Sequence, residues 1–254
     1  MQIQDSKGIF VGGASGMCRA TAEQFAAKGG KVAILDLEKS DGANVAKALG
    51  GTFHVCNVMD YEGIEKVIGE AVAKLGGLHF LVNTAGGGVA TRTISKEGKK
   101  HPLEDFRRII DLNLVASFNI NRIGAEHMSK NEPNAEGERG LMINTASIAA
   151  FEGQIGQVAY TAAKGGIAAM TLTMARDLGG IGVRVMTIAP SLFDTGLTRG
   201  IPEAGAMQLT KDAAFPRRMG KPKEFATMAI AMFECAMMNG STVRVDGGQR
   251  FAPR

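Results

Sequence analysis

Short apolar runs alternate along this chain with longer stretches in which apolar residues recur at every third or fourth position. The runs at residues 8–11, 31–35, 52–56, 78–82, 140–145, 183–188 and 242–245 read as strands, and the periodic stretches at 17–28, 41–49, 61–75, 103–129, 158–178 and 222–237 read as helices. Within the runs successive positions are apolar, so both faces of the sheet must be covered. Strands and helices alternating in this way predict an α/β fold, doubly wound, with one seven-stranded parallel sheet flanked by helices on both faces. No repeat and no linker divides the chain, so residues 1–254 read as one domain. Residues 92–102 and 190–220 are the long irregular segments, and the second is expected to be a substrate loop, since loops of that length usually carry function.

Composition adds mainly exclusions. Glycine supplies 34 of 254 residues, about twice the usual share, yet without the triplet period of a collagen. With 45 % hydrophobic and 21 % charged residues the chain can bury a core, which argues against global disorder. No apolar run approaches the roughly 18 residues of a membrane span and residues 1–6 lack a secretory core, so a soluble, cytoplasmic protein is expected. Cys18, Cys56 and Cys235 offer neither a zinc spacing nor an even disulfide set and should be reduced. Net charge is +4. The basic clusters Lys96, Lys99, Lys100, His101 and Arg217, Arg218, Lys221, Lys223 read as solvated loop charges or as a seat for an anionic substrate tail. No aromatics interleave with them, which disfavours nucleic acid.

The first chemistry-bearing feature is Val11-Gly12-Gly13-Ala14-Ser15-Gly16-Met17-Cys18, which follows the first strand and opens into a helix. Glycines there permit positive φ and let backbone N–H groups approach a pyrophosphate at the positive end of the helix. Further on, Asp36 ends the second strand. A carboxylate at that place accepts from ribose hydroxyls and repels a 2′-phosphate. Two unit charges about 4 Å apart at an effective dielectric of about 20 repel by roughly 4 kcal/mol, which favours NAD over NADP. A second turn, Asn83-Thr84-Ala85-Gly86-Gly87-Gly88, follows the fourth strand and extends the same crevice, because ligands of open α/β sheets bind beyond the carboxyl ends of strands. These turns make the domain Rossmann-like.

Tyr160 and Lys164 stand one helical turn apart on one face. A free phenol has a pKa near 10, and bringing it to about 7 requires roughly 4 kcal/mol of preferential stabilisation of the phenolate. A neighbouring ammonium has the right sign, and such a tyrosine could exchange a proton with an alcohol or a ketone. Ser147, just past the strand at 140–145, offers a hydroxyl to the same oxygen. The Tyr-Lys spacing is common by itself; with Ser147 upstream it points to a catalytic triplet.

In this order, Gly12, Gly16, Asp36, Asn83 to Gly86, Asn113, Ser147, Tyr160, Lys164 and the stretch 190–195 resemble the short-chain dehydrogenase/reductase family over essentially the whole chain. The stretches 101–106, 131–133, 144–160 and 184–190, with the insertion after the fourth strand, look most like its type 2 3-hydroxyacyl-CoA dehydrogenase group, the 17β-hydroxysteroid dehydrogenase type 10 group. The resemblance implies that Tyr160 is the general acid/base, that Lys164 lowers its pKa and holds the nicotinamide ribose, that Ser147 orients the substrate oxygen, and that Asn113 anchors a relay water. It implies NAD bound by Gly12, Ser15, Gly16, Met17, Asp36, Asn57, Val58, Asn83, Thr84, Ala85, Gly86, Tyr160, Lys164, Pro190, Phe193 and Thr195, and no metal. It also implies a homotetramer joined through the helices carrying Asn113 and Tyr160 and through the last strand.

Four positions depart from the family pattern. Val11 stands for a threonine. Cys18 replaces a glycine at a close helix–strand contact, where a thiol could cost roughly 1–3 kcal/mol or displace the helix. Asn57 replaces an aspartate that contacts adenine, but its amide still donates and accepts. Ser191 replaces a glycine and could stiffen or redirect the substrate loop. The expected activity is NAD-dependent interconversion of a secondary alcohol and a ketone, foremost 3-hydroxyacyl-CoA and 3-oxoacyl-CoA in fatty acid metabolism, in an apolar pocket of Leu192, Phe193, Leu197, Ile201 and Met207. A steroid would suit that pocket equally, so a hydroxysteroid dehydrogenase stays open. A 3-oxoacyl carrier-protein reductase would ordinarily want NADPH, against Asp36. A non-catalytic dinucleotide sensor would have no use for the triplet.

Overall fold

In the computed structural model, which describes residues 1–196 and 203–253, the seven apolar runs form one parallel sheet. Its strands are β1 (Lys7–Val11), β2 (Lys31–Asp36), β3 (Thr52–Val55), β4 (Phe80–Asn83), β5 (Gly140–Thr145), β6 (Val183–Pro190) and β7 (Thr242–Val245). They lie in the order β3-β2-β1-β4-β5-β6-β7, and Val11 at the end of β1 pairs with Leu35 on one side and Asn83 on the other. The winding reverses between β1 and β4, so a crevice opens beyond their carboxyl ends.

The helices are α1 (Gly16–Ala27), α2 (Gly42–Ala48), α3 (Gly63–Leu75), α4 (Leu103–Ile110), α5 (Ala116–Ser129), α6 (Val158–Gly179), α7 (Glu203–Thr210) and α8 (Pro222–Glu234). Successive strand side chains enter opposite layers, as the pleat requires. Ile9, Val11, Leu35 and Leu81 pack with Ile64 and Ile68 of α3 and Ile120 and Ile123 of α5. Phe10, Ile34, Phe80 and Val82 pack with Phe25 of α1, Val45 of α2 and Phe225 and Phe233 of α8. In this second layer Phe10, Phe25, Phe80 and Phe233 form a chain of rings with centroids 4.8–5.9 Å apart. Each such fully buried side chain contributes about 1.5–3 kcal/mol of apolar transfer. The two layers fix the strand ends, and with them the floor of the crevice.

Three expectations are corrected. The stretch 103–129 is not one continuous α-helix, because a π turn, Asp111–Val115, separates α4 from α5. The segment 190–220 holds a helix, α7, and residues 92–102 form a hairpin closed by a bridge between Ile94 and Lys100. The thiol of Cys18 does not clash. It lies fully buried under the glycine turn, where Sγ donates to Val11 O at 3.4 Å, and α1 begins at Gly16.

Candidate active site

Two cavities meet beyond the strand ends. The first, about 500 Å³, is lined by Gly12, Ser15, Gly16 and Met17 from the glycine turn, Asp36 from β2, Asn57 and Val58 from the turn after β3, and Thr84, Ala85 and Gly86 from the turn after β4. Much of its wall is bare backbone. Gly12 has φ +79°, and a Cβ on Gly13 would stand 2.6 Å from the Phe10 carbonyl oxygen, so neither position tolerates a side chain without a shift. N–H groups at the start of α1 suit a pyrophosphate there. Asp36 is tied to the same turn: its Oδ2 accepts from Ala14 N at 2.9 Å and its Oδ1 from Leu37 N at 2.8 Å. A carboxylate has about four lone-pair positions, which leaves acceptors for ribose hydroxyls. The residues present fit an extended dinucleotide.

The second cavity, about 420 Å³, shares Met17, Thr84, Gly86 and Thr195 with the first, so the two form one cleft. Ser147, Tyr160 and Lys164 all line it, as do Pro190 and Phe193. Ser147 follows β5 in extended backbone, and its Oγ accepts from Ala149 N at 3.1 Å, starting the short 3-10 turn Ile148–Ala150. That bond uses a lone pair, so the hydroxyl still has its proton to donate, and Tyr160 lies within its reach in the cleft. Tyr160 lies in the first turn of α6. One turn on, Lys164 is only 4 % exposed, its Nζ donates to Thr145 O at 2.8 Å, and it lies 5.6 Å from the centroid of the Tyr160 ring.

Electrostatics in the cleft differ from the simple expectation of a lysine lowering a phenol. Burial lowers the Lys164 ammonium to about 8. Burial pushes the Tyr160 phenol up, and a hydrogen bond with Ser147 works the other way. The ammonium faces the ring and the Thr145 carbonyl, so desolvation outweighs charge attraction at both groups.

Beneath the cleft lies a set of buried amides. Asn113, in the π turn, donates from Nδ2 to Gly87 O at 2.8 Å and to Ile109 O at 2.9 Å, while its Oδ1 accepts from Gly87 N at 3.2 Å. Asn83 reaches Ser117 Oγ with Nδ2 and accepts from Ala85 N with Oδ1, shaping the turn it opens. Asn121 donates to Asn144 Oδ1 at 2.6 Å, and Thr145 Oγ1 donates to Asn83 O at 2.8 Å. Ser117, Asn121, Asn144 and Thr145 thus hold the turns that carry the site, and the spacing of motifs alone does not single them out. A polar residue set among apolar neighbours on an otherwise buried face is the signal that could have found them.

Of the predicted site residues, Asn83 and Asn113 underlie the cleft and the others line it. Leu192 and Phe193 of the expected apolar pocket also line it; Met207 is 63 % exposed and stands away from its wall, and Leu197 and Ile201 lie outside the described residues. Ser191 donates its backbone N–H to Val245 O, which holds the start of the segment 190–220 against β7. Lys96, Lys99 and Lys100 are exposed on the hairpin, and Arg218 is paired with Glu224. Among the described residues no group of side chains could hold a metal ion, and no helix is long and apolar enough to cross a membrane.

The chain matches, over residues 12–250, the family profile described as enoyl-(acyl carrier protein) reductase. It is 45 % identical over 248 residues to the human 3-hydroxyacyl-CoA dehydrogenase type-2, covering 96 % of this chain and 95 % of that one. The Drosophila melanogaster protein of the same name is 42 % identical over 254 residues, covering 99 % and 100 %. A 3-oxoacyl-[acyl-carrier-protein] reductase of Thermotoga maritima is 30 % identical over 259 residues, covering 98 % and 99 %. Among solved structures, 3-hydroxyacyl-CoA dehydrogenase type-2 from Mycobacterium avium superposes with a TM-score of 0.94 at 36 % identity and covers all of both chains.

Proposed function

The chain belongs to the short-chain dehydrogenase/reductase family, and from that premise we propose that it is an NAD-dependent 3-hydroxyacyl-CoA dehydrogenase. The observation that carries this reading is a single cleft in which Ser147, Tyr160 and Lys164 meet a cradle that fits a dinucleotide. Relatives at 42–45 % identity named for 3-hydroxyacyl-CoA supply the substrate class. Enzymes of this kind use a nicotinamide dinucleotide, which supplies the hydride chemistry. Asp36 on the wall of the first cavity supports NAD rather than NADP.

The chain's own residues handle the proton. Ser147 donates to the substrate oxygen, Tyr160 takes the proton of an alcohol or returns one to a ketone, and Lys164, anchored on Thr145 O, has two further N–H bonds for the nicotinamide ribose. Thr195 and Phe193, which line the catalytic cavity with Pro190, would serve the nicotinamide end of the cofactor. Both amide protons of Asn113 are committed, so its part is to hold the Gly87 turn; a relay water would have to use its remaining oxygen lone pair or the backbone of the π turn. Burial keeps Tyr160 in its neutral, proton-donating form, so ketone reduction should slow, and alcohol oxidation accelerate, as pH rises.

The outward apolar residues of the π turn, α5 and α6 support a homotetramer, the three free cysteines support a reducing cytoplasm, and residues 1–254 are taken as one unit. The deciding experiment follows reduced-nicotinamide absorbance with 3-hydroxybutanoyl-CoA and either NAD or NADP. Turnover with NAD is expected, and Tyr160→Phe should lose about 10²–10⁴-fold in kcat while retaining dinucleotide binding. Equal rates with NADP would overturn the cofactor assignment. Failure with every 3-hydroxyacyl-CoA would overturn the substrate class.

A further inference from the structure

We propose that Phe251 is the end wall of the substrate cavity, held in place by the C-terminal tail, and that its ring sets the length of acyl chain the site accepts. The proposal rests on the acyl-CoA reading above and extends it to a residue that carries none of the family's motif chemistry.

Phe251 lines the same cavity as Ser147 and Tyr160, whose wall also includes Val89, Ala90 and Leu192. Its ring is half-buried and belongs to none of the hydrophobic clusters that make up the core. Phe193, which also lines the cavity, is committed elsewhere: it is buried and meets Phe225 edge-on at 6.5 Å. Among the described residues, Phe251 therefore offers the cavity an apolar face that no core cluster covers, the kind of surface an apolar ligand covers.

The backbone on either side of the ring is fixed. Before it, Gln249 is 2 % exposed, its Nε2 donates to Leu209 O of α7 at 2.8 Å, and its carbonyl accepts from Arg244 Nη2 at 3.1 Å. Arg250 pairs with Asp246 at 3.0 Å and with Glu152 at 3.5 Å. After it, Ala252 O accepts from Gln154 Nε2 at 3.3 Å and Pro253 O accepts from Ile155 N at 2.9 Å. These bonds stitch the tail to the segment between Ser147 and Tyr160, so Phe251 moves with the catalytic side of the cavity. A ring fixed in this way acts as a stop, since lengthening the substrate must either displace an anchored tail or leave methylenes in water.

The test uses binding of unreactive straight-chain acyl-CoAs, butanoyl to dodecanoyl, to the NADH-saturated protein by calorimetry. Phe251→Ala should shift the octanoyl-to-butanoyl affinity ratio about sixteenfold toward octanoyl, room for roughly two further methylenes at about fourfold each. Phe251→Trp should shift it the other way. The same ratio in all three proteins, or no acyl-CoA binding at all, overturns the proposal. Turnover of 3-hydroxybutanoyl-CoA by the unmutated protein is read separately. An unchanged ratio with turnover intact removes the end wall alone, whereas absent turnover removes the functional reading.

Discussion

Lys164 shows how one residue can cost the fold and serve the site. An unfolded lysine keeps its proton to about 10.5, while the buried one releases it near 8. Between those values the unfolded state binds more protons, so this group makes stability rise with pH there; below about 8 both states are protonated and the full cost is present. The fall from 10.5 to about 8 corresponds to about 3 kcal/mol. Replacement by methionine removes that cost but leaves the Thr145 carbonyl unpaired, which takes back about 1 kcal/mol. Lys164→Met should therefore be about 2 kcal/mol more stable in the ligand-free protein at pH 7, with the gain shrinking above pH 8 and hydride transfer lost. Urea melts at neutral and alkaline pH measure this, and a less stable variant at pH 7 would show that the ammonium contributes net stability. Cys18 carries the opposite lesson. Read against a family glycine it looked like a liability, yet its thiol is fully buried with a hydrogen-bond acceptor on β1, and burial keeps it protonated.

At the scale of elements, the π turn between α4 and α5 does what a regular helix would not. Asp111–Val115 adds a residue to the turn, bringing the Asn113 amide under the Gly87 loop, and Tyr61 Oη braces it by donating to Asp111 O at 3.2 Å. Asn113→Ala forfeits three hydrogen bonds at roughly 1 kcal/mol each. It should lower stability by about 3 kcal/mol and reduce kcat, because the Gly86–Gly88 turn lines the catalytic cavity. Chemical denaturation and steady-state kinetics on the same preparation check both, and a variant that loses stability but keeps kcat would confine Asn113 to the fold. The turn was not legible beforehand, since one inserted residue barely disturbs a helical period. Helix α7 was hidden for a related reason: Pro202 and Gly205 punctuate a short, weakly periodic stretch. The inner strands, buried on both faces, announce themselves as continuous apolar runs, and the half-buried edge strands β3 and β7 were readable as short runs rich in β-branched and apolar residues. Ser147, Tyr160 and Lys164 were readable by their order along the chain. Asn121 and Asn144 were not, because a buried amide looks like any other asparagine until the pairing between helix α5 and strand β5 is known.

At the scale of the molecule, the inner and outer faces of the same helices do different work. On α6, Ala159 and Ala163 are buried against α4 and Gly166 lies against Leu114, so those small residues serve packing within the chain. The outer positions Ala162 and Ala169 lie on the exposed side with Val158 and Leu172, the last 47 % exposed. Val115 in the π turn and Phe118 on α5, 52 % exposed, extend the apolar surface. Single exposed apolar residues are ordinary, but an aligned set on neighbouring helices marks a contact surface. Among the described residues strand β7 ends the sheet with one edge unpaired, a second place for another copy to meet. Light scattering on the purified protein should give four times the 26.7 kDa chain mass. Phe118→Glu should lower that mass by placing a charge on the apolar contact. Activity should fall with it, because the helix that presents Phe118 outward holds Ser117 and Asn121 inward beneath the site. A fully active monomer at micromolar concentration would separate the catalytic unit from the assembly and leave the outer stripe to some other partner.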